Sequence, residues 1–200
     1  MFHDTLELRW FAPGAIPAPV QHWFDILPGT LEEHRDRREC YLEAETTPSL
    51  AVKLQDGALE IGQRLDRAGT TIVAAHCAGR PETWRTWRFP LACPPLSTAG
   101  DAGWIDLSEN RRRRQFLLRE GHPEPAADPD RELICLTELT QVELAGEPWW
   151  TLAFKAPASA GPAESLLLPV AHGLLTRDAA PELSAQTCCS YPQWLARLRR

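Results

Sequence analysis

Basic side chains recur on the polar faces of several strand-like segments in this chain of 200 residues. Successive side chains of a strand point to opposite faces, so residues two positions apart share one face. The cations placed in this way are Arg9, Lys53, Arg64, Arg111, Arg113 and Lys155. Arginine and lysine bind phosphate and carboxylate groups, and an arginine fork can hold such a group through two hydrogen bonds. If the fold brings these faces together, they form a cavity that binds an anion.

The clearest strand pattern lies near the start of the chain, over residues 5–11. Its apolar face carries Leu6, Leu8 and Trp10, and its polar face carries Thr5, Glu7 and Arg9. A strand of this kind separates a packed apolar layer from a polar interior. We therefore predict that it forms one wall of the charged cavity.

Six cations in one cavity would repel one another. Two like charges about 5.5 Å apart repel by roughly 3 kcal/mol at an effective dielectric constant near 20. A bound polyanion, interior carboxylates or an open, water-filled interior would relieve this repulsion. In the alternative arrangement, some of the arginines face solvent or form fixed ion pairs with Glu7, Glu60 and Glu138.

The dipeptide Asp56-Gly57 is the strongest hairpin signal in the chain. Tight hairpin turns favour this pair because both central residues tolerate positive φ. The segments on either side alternate between apolar and polar residues, so the hairpin should place Lys53 and Arg64 on the same polar face.

A run of four arginines, residues 111–114, falls within a long predicted strand over residues 104–118. Alternation sends Arg111 and Arg113 to one face and Arg112 and Arg114 to the other. The sequence leaves open which pair faces inward, and we assign the first pair to the cavity. A basic run can also mark a nucleic-acid site. We expect no nucleic-acid partner here, because the formal net charge of the chain is −6.

The remaining segments outline further strands and a few helices. Strands are predicted near residues 40–42, 71–73, 83–89, 133–144 and 149–156, and helices near residues 20–27, 167–175 and 190–198. The mixed charges of residues 31–39 indicate a solvated segment, while residues 93–103, 119–131 and 157–165 indicate loops or linkers. A capping-box pattern opens the last helix, which should bury Trp194, Leu195 and Leu198. Trp84 and Trp87 are expected on the outer surface of the strands.

The composition favours one globular unit. Hydrophobic residues make up 44% of the chain and include eight tryptophans, enough for a sizeable core. No apolar run approaches the roughly 20 residues of a membrane span, and the N-terminal residues lack the pattern of a signal peptide. The six cysteines show no spacing typical of a zinc site. We therefore expect a cytoplasmic protein that does not bind membranes, with cysteines as apolar fillers.

The order of these elements and several short motifs resemble the CYTH superfamily of triphosphate tunnel metalloenzymes. The opening E-x-E-x-K motif of that family falls on residues 5–9, which keep Glu7 and have Arg9 in place of the lysine. Its L-R-I-R motif falls on residues 50–53 and keeps Lys53. Its next lysine position is occupied by Gly62, with Arg64 two residues later. The best match is the K-x-R-x-x-aromatic motif, at Arg111, Arg113 and Phe116.

This resemblance implies an α+β fold with a closed or nearly closed antiparallel β-barrel, or tunnel, and flanking helices. It covers one domain over residues 1–200, with the barrel at about residues 1–156 and a C-terminal helical segment at about residues 163–200. In the family, lysines and arginines of the tunnel bind triphosphate, and carboxylates hold Mg²⁺ or Mn²⁺.

The E-x-E motif near the end of the family's barrel falls here on Ala153 and Lys155, so both carboxylates are missing. A divalent ion needs several carboxylate oxygens. The candidates are Glu7, Glu60 and Glu138, with Glu143 replacing Glu138 if that strand has the other register.

We therefore expect a tunnel protein that binds a phosphate-rich or otherwise anionic small molecule, with weak or no metal-dependent hydrolysis and no assigned catalytic residue. One alternative is an active triphosphatase that uses Mg²⁺ or Mn²⁺ at a rearranged site. Another is a non-catalytic interaction scaffold, which would expose an apolar patch around Trp84, Trp87 or Trp104. The natural ligand and the oligomeric state stay open.

Overall fold

A computed structural model describes residues 2–43, 47–92, 103–126, 133–158 and 163–198, without the side chain of Asp36. These residues form an α+β fold that is dominated by antiparallel strands and includes three helices. The strands are β1 (Phe2–Pro13), β2 (Glu32–Leu42), β3 (Leu50–Gln55), β4 (Ala58–Arg67), β5 (Thr71–Ala74), β6 (Cys77–Gly79), β7 (Glu82–Pro90), β8 (Trp104–Arg119), β9 (His122–Pro125), β10 (Cys135–Leu144) and β11 (Glu147–Pro157). The helices are α1 (Ala18–Ile26), α2 (Glu164–Leu175) and α3 (Tyr191–Leu198).

Nine of these strands form one sheet in the order β10-β11-β1-β7-β4-β3-β2-β8-β9. Strand β8 also pairs with β10, so strand pairing runs through eight strands and returns to its starting point. All these pairings are antiparallel. The odd-numbered residues of β1 therefore share one side of this ring of strands with the odd-numbered residues of β8.

The hairpin predicted at Asp56-Gly57 is confirmed between β3 and β4. Both residues have positive φ, 49° at Asp56 and 69° at Gly57, as a type I′ turn requires. The register places Lys53 directly opposite Glu60. Arg64 lies on the same face of β4 as Glu60, four residues further along.

The main apolar core lies outside the ring, where α1 and α2 cover β1, β10 and β11. The alternation predicted for β1 is confirmed, because Leu6, Leu8 and Trp10 are all buried in this core. Trp10 meets Phe154 edge to face at 6.3 Å between ring centroids. The apolar face of β1 is thus fixed against the helices, which leaves its polar face for the interior of the ring.

A second, smaller core closes around α3. Phe11 stacks on Trp194 with ring centroids 4.5 Å apart, and it meets Tyr191 edge to face at 5.0 Å. The predicted burial of Leu198 is wrong, since this side chain is 40% exposed. The buried residues of α3 lie between Tyr191 and Leu195, so its last turn extends beyond the aromatic contacts.

Two segments that were predicted to be irregular are strands. Residues 32–39 belong to β2, which pairs with β8 so that Arg113 lies opposite Glu32. The predicted solvation is kept at Glu33, Arg35 and Arg38, which are exposed. Residues 122–125 form β9, which pairs with the end of β8 inside the predicted loop at 119–131. Residues 93–102, most of another predicted loop, lie outside the described ranges. None of the described helices has the length and apolar character needed to cross a membrane.

Candidate functional site

A cavity of about 220 Å³ lies against the polar faces of seven strands and the start of α3. Its charged lining residues are Glu7, Arg9, Glu39, Lys53, Glu60, Arg111 and Lys155, and its aromatic lining residues are Tyr41, Trp84 and Tyr191. Pockets for drug-sized ligands usually measure about 300–1,000 Å³, so this one suits a compact ligand.

The structure brings four of the six predicted cations to this cavity: Arg9, Lys53, Arg111 and Lys155. The other two lie beyond its lining. Arg113 donates to the Glu138 carboxylate at 2.8 Å, and Arg64 donates to the Glu82 carboxylate at 3.1 Å. Both still contact interior carboxylates, so they contribute charge near the cavity without lining it.

Strand alternation divides the arginine run as predicted. Arg111 lines the cavity, while Arg112 forms an outer ion pair with Glu33 at 3.4 Å and contacts Asp25 of α1. Arg114 also points toward α1, where it donates to the carbonyl oxygens of Phe24 and Asp25 at 3.1 and 2.9 Å. Strand β8 thus supplies Arg111 to the cavity, while Arg112 and Arg114 on its other face contact α1.

Glu138 is the centre of the first charged network. The register of β10 turns Glu138 inward, opposite Arg113, whereas Glu143 is exposed. Its carboxylate is fully buried and lies 2.6 Å from Lys155 Nζ and 3.2 Å from Arg9 Nη2. Burial alone would raise its pKa, but the charges of Lys155, Arg111 and Arg9 outweigh that effect and hold the pKa well below its ordinary value. Glu138 is therefore an ionised carboxylate at neutral pH.

Glu7 extends this network toward the cavity. Its carboxylate contacts Arg9 Nε at 2.5 Å and Lys155 Nζ at 3.8 Å. Burial opposes ionisation of Glu7, but the two cations lower its pKa. Burial also lowers the pKa of Lys155, and the charges of Glu138 and Glu7 only partly offset this effect. The neighbouring cations thus favour the charged form of Glu7, whereas burial disfavours the charged form of Lys155.

A second network forms around two carboxylates that sequence reasoning missed, Glu39 and Glu109. Glu39 is fully buried and lies 3.2 Å from Lys53 Nζ and 3.1 Å from Arg111 Nη2. Burial alone would raise its pKa, but Lys53 and Arg111 lower that pKa to about 2. Glu109 contacts Arg111 and accepts a hydrogen bond from the Tyr191 hydroxyl.

The alternation of β8 could have revealed Glu109, which lies two residues before Arg111 on the same face. Glu39 showed no such pattern, because acidic and basic residues in the stretch 31–39 do not alternate with the two-residue period of a strand. Glu82, also missed, binds Arg64 and Arg67 and accepts a hydrogen bond from Trp84 Nε1 at 3.1 Å.

Interior carboxylates therefore relieve the cation repulsion that the sequence predicts. Each of the six predicted cations has a carboxylate oxygen within 4.0 Å, as in the alternative arrangement of fixed ion pairs. The carboxylates that provide this balance are Glu7, Glu39, Glu60, Glu82, Glu109 and Glu138. An anion that enters the cavity must compete with them for the cations.

Two residues of the cavity lining each have a buried polar atom without a hydrogen-bond partner among the described residues. These atoms are Arg111 Nε and Ser190 Oγ. Gln193 Oε1 is also buried without a partner. The predicted capping box of α3 is therefore wrong, since neither Ser190 Oγ nor Gln193 Oε1 accepts a hydrogen bond from the backbone.

The tryptophans divide between the two sides of the sheet. Trp84 lines the cavity, so its predicted outer position is wrong; it pairs with Thr5 on the side that carries the polar face of β1. Trp87 lies three residues later on the opposite face, beside the exposed ring of Phe2 at 6.4 Å. Phe89, two residues beyond Trp87, is also exposed.

The three proposed metal ligands do not gather around one point. Glu60 contacts Lys53 and Arg88, whereas Glu7 and Glu138 contact Arg9 and Lys155. Within the described ranges, no group of three or more histidine, cysteine or acidic side chains could hold a metal ion. These donors do not fit Mg²⁺ or Mn²⁺ in this arrangement, because cations already occupy their carboxylate oxygens.

No protein-family model and no curated protein matches this chain. The resemblance to the CYTH superfamily therefore stays a prediction that rests on the motifs given above.

Proposed function

We propose that the chain is a CYTH-like tunnel protein that binds a compact, phosphate-bearing or otherwise anionic small molecule in this cavity. The ring of eight paired strands would then be a closed or nearly closed barrel, with the cavity inside it. The observation that carries the proposal is the approach of Arg9, Lys53, Arg111 and Lys155 to one cavity from four different strands. In a scaffold these cations would only stabilise the fold through their ion pairs, so binding of an anion separates the two functions.

The ion pairs do not remove the capacity to bind an anion. The Lys155 side chain is 24% exposed and its partner Glu138 is fully buried. The Lys53 side chain is 19% exposed and its partner Glu39 is fully buried. The Lys155 ammonium group has three donors and can contact a ligand while it keeps Glu138. Lys53 already contacts Glu39, Gln55 and Glu60, so a ligand must displace one of these partners. Arg111 also lines the cavity, where Glu39 and Glu109 hold its guanidinium group. The carboxylates thus hold the cations in place and limit the affinity.

Efficient metal-dependent hydrolysis does not follow from this site. In-line attack on a triphosphate requires a divalent ion to balance charge and to position the attacking water. The available carboxylates are bound to lysine and arginine, so we assign no step of a reaction to a metal. Binding with weak or no hydrolysis is the function that these contacts support best.

The test is a calorimetric titration of tripolyphosphate into the full chain, in EDTA and again with Mg²⁺. Lys155→Gln removes one exposed cation of the cavity, and Arg112→Gln removes a cation from the outer face of β8 as a matched control. A hydrogen bond to a charged group is worth about 1.5–3 kcal/mol, so Lys155→Gln should weaken binding by about 10- to 100-fold. Arg112→Gln should change the affinity by less than about twofold.

Binding in EDTA that is lost only in Lys155→Gln supports the proposal. Absence of binding by the wild-type chain in both buffers would refute it, as would equal affinities of the two variants. Release of phosphate that requires Mg²⁺ and disappears in Glu7→Gln would instead favour the triphosphatase alternative.

A further inference from the structure

The cavity exposes carboxylates as well as cations to a ligand. The Glu7 side chain is 18% exposed and the Glu60 side chain is 14% exposed. These fractions are close to those of Lys155 and Lys53, whereas the arginine side chains of the lining are at most 7% exposed. The charged groups that a ligand reaches most readily are therefore two lysines and two glutamates.

A ligand that carries only negative charge is a poor match for this lining. Contact with a lysine brings such a ligand close to a glutamate, since Glu7 Oε2 lies 3.8 Å from Lys155 Nζ and Glu60 Oε2 lies 3.3 Å from Lys53 Nζ. Like charges at such short distances repel one another. A ligand that also carries a positive group gains an attraction to the carboxylate that offsets this repulsion.

Glu7 has one carboxylate oxygen to which a positive group can bind. Its Oε1 accepts a hydrogen bond from Arg9 Nε at 2.5 Å. Its Oε2 lies 3.8 Å from Lys155 Nζ, which is too far for a hydrogen bond. Lys155 has its short contact with Glu138, at 2.6 Å, and keeps further donors for a ligand.

The surroundings of the two exposed carboxylates differ. Both oxygens of Glu60 have cationic partners, Arg88 at Oε1 and Lys53 at Oε2. Glu7 has an aromatic neighbour, because Trp84 is its diagonal neighbour across β1 and β7 and also lines the cavity. Aromatic rings attract ammonium groups. These surroundings favour Glu7 as the place for a positive group.

We propose that the ligand is a compact molecule with an ammonium group close to its phosphoryl group, as in an aminoalkyl phosphate. The ammonium group donates to Glu7 Oε2, and the phosphoryl group accepts from Lys155 Nζ, 3.8 Å from that oxygen. A phosphate monoester carries about −1.5 to −2 charges at pH 7, so this ligand is still anionic overall. The inference rests on the proposed function and adds the chemical class of the ligand.

The test compares two phosphate monoesters of similar size, O-phosphoethanolamine and ethyl phosphate, of which only the first has an ammonium group. Each is titrated by calorimetry into the full chain in EDTA, and tripolyphosphate is titrated separately to test the proposed function. Glu7→Gln removes the carboxylate charge from the cavity. Glu143→Gln is the matched control, because it makes the same change at an exposed position of β10.

We expect the wild-type chain to prefer O-phosphoethanolamine to ethyl phosphate by about 10- to 100-fold, the effect of one hydrogen bond between charged groups. Glu7→Gln should reduce this preference to less than about threefold, because its amide leaves the ammonium group without a charged partner. Glu143→Gln should keep the preference of the wild-type chain.

Equal or tighter binding of ethyl phosphate by the wild-type chain would overturn the inference, and this comparison needs no variant to fold. A preference that persists in folded Glu7→Gln would also overturn it. In both cases, binding of tripolyphosphate or ethyl phosphate leaves the proposed function intact. Absence of binding of all three probes by the wild-type chain would overturn both.

Discussion

Glu39 is a fully buried carboxylate whose charge is balanced by Lys53 and Arg111. Its pKa falls from an ordinary 4.5 to about 2 on folding. A depressed folded pKa stabilises the protein above pH 4.5, and this stabilisation disappears as the pH falls toward 2. The difference corresponds to about 3 kcal/mol of unfolding free energy at neutral pH, of which about 2 kcal/mol is lost between pH 5 and pH 3.

The pH dependence of Glu39→Gln checks this contribution. Urea unfolding from pH 7 to pH 3 should show the variant about 3 kcal/mol less stable at pH 7, with a gap that narrows as the pH falls. Glu143→Gln makes the same change at an exposed position of β10 and should follow the wild-type curve. A constant gap between wild type and Glu39→Gln would mean that ionisation of Glu39 does not contribute.

The cations of the site were predictable residue by residue, but only three of their six carboxylate partners were, namely Glu7, Glu60 and Glu138. Arg111 and Arg113 follow the period of a strand, so alternation alone separates them from Arg112. Glu39 depends on which strands lie beside β2, and a stretch with charges of both signs carries no such information. Carboxylate partners that approach from other strands become visible only once the pairing of the strands is known.

At the scale of elements, α3 packs against aromatic residues on the cavity side of the ring. Trp194 stacks on Phe11 and meets Trp149 at 5.4 Å between ring centroids. Truncation of a buried tryptophan to alanine typically costs about 3–5 kcal/mol. We expect Trp194→Ala to lose this much stability in urea unfolding, because it removes the main contact of α3 with β1.

Leu198→Ala is the control for that helix, since Leu198 lies one turn later and is exposed. It should cost less than about 0.5 kcal/mol, as surface substitutions usually do. Equal losses in the two variants would mean that α3 is held by its whole length and not by the aromatic contacts. Trp194→Ala should also weaken tripolyphosphate binding, because the start of α3 lines the cavity.

Elements with a strong local pattern were predicted from sequence, and those that depend on distant contacts were not. The Asp56-Gly57 hairpin and the alternation of β1 and β8 need only neighbouring residues. The capping box of α3 failed because Ser190 faces the cavity, a feature that depends on strands far away in sequence. Strand β9 was missed because its four residues include two prolines, which disfavour a strand.

At the scale of the whole molecule, carboxylates balance the positive charge of the lysines and arginines on the inner face of the ring. Glu138 contacts Arg9, Arg113 and Lys155, which come from β1, β8 and β11. Loss of one partner from a buried ion network costs about 3–5 kcal/mol, because the remaining charges are left without compensation. Glu138→Gln should therefore destabilise the chain by this amount, whereas Glu143→Gln, at an exposed position of the same strand, should have little effect.

The same substitution tests whether an added anion can take the place of the carboxylate. Removal of Glu138 leaves Lys155 and Arg9 with Glu7 but without their buried partner, so Glu138→Gln should bind tripolyphosphate more tightly than the wild-type chain in EDTA. A ligand at 100 times its dissociation constant adds about 2.7 kcal/mol to stability, which would recover much of the loss. The thermal midpoint of Glu138→Gln should then rise more than that of wild type at each tripolyphosphate concentration. An equal or smaller rise would show that Lys155 and Arg9 do not bind the anion, and the site would then depend on Lys53 and Arg111.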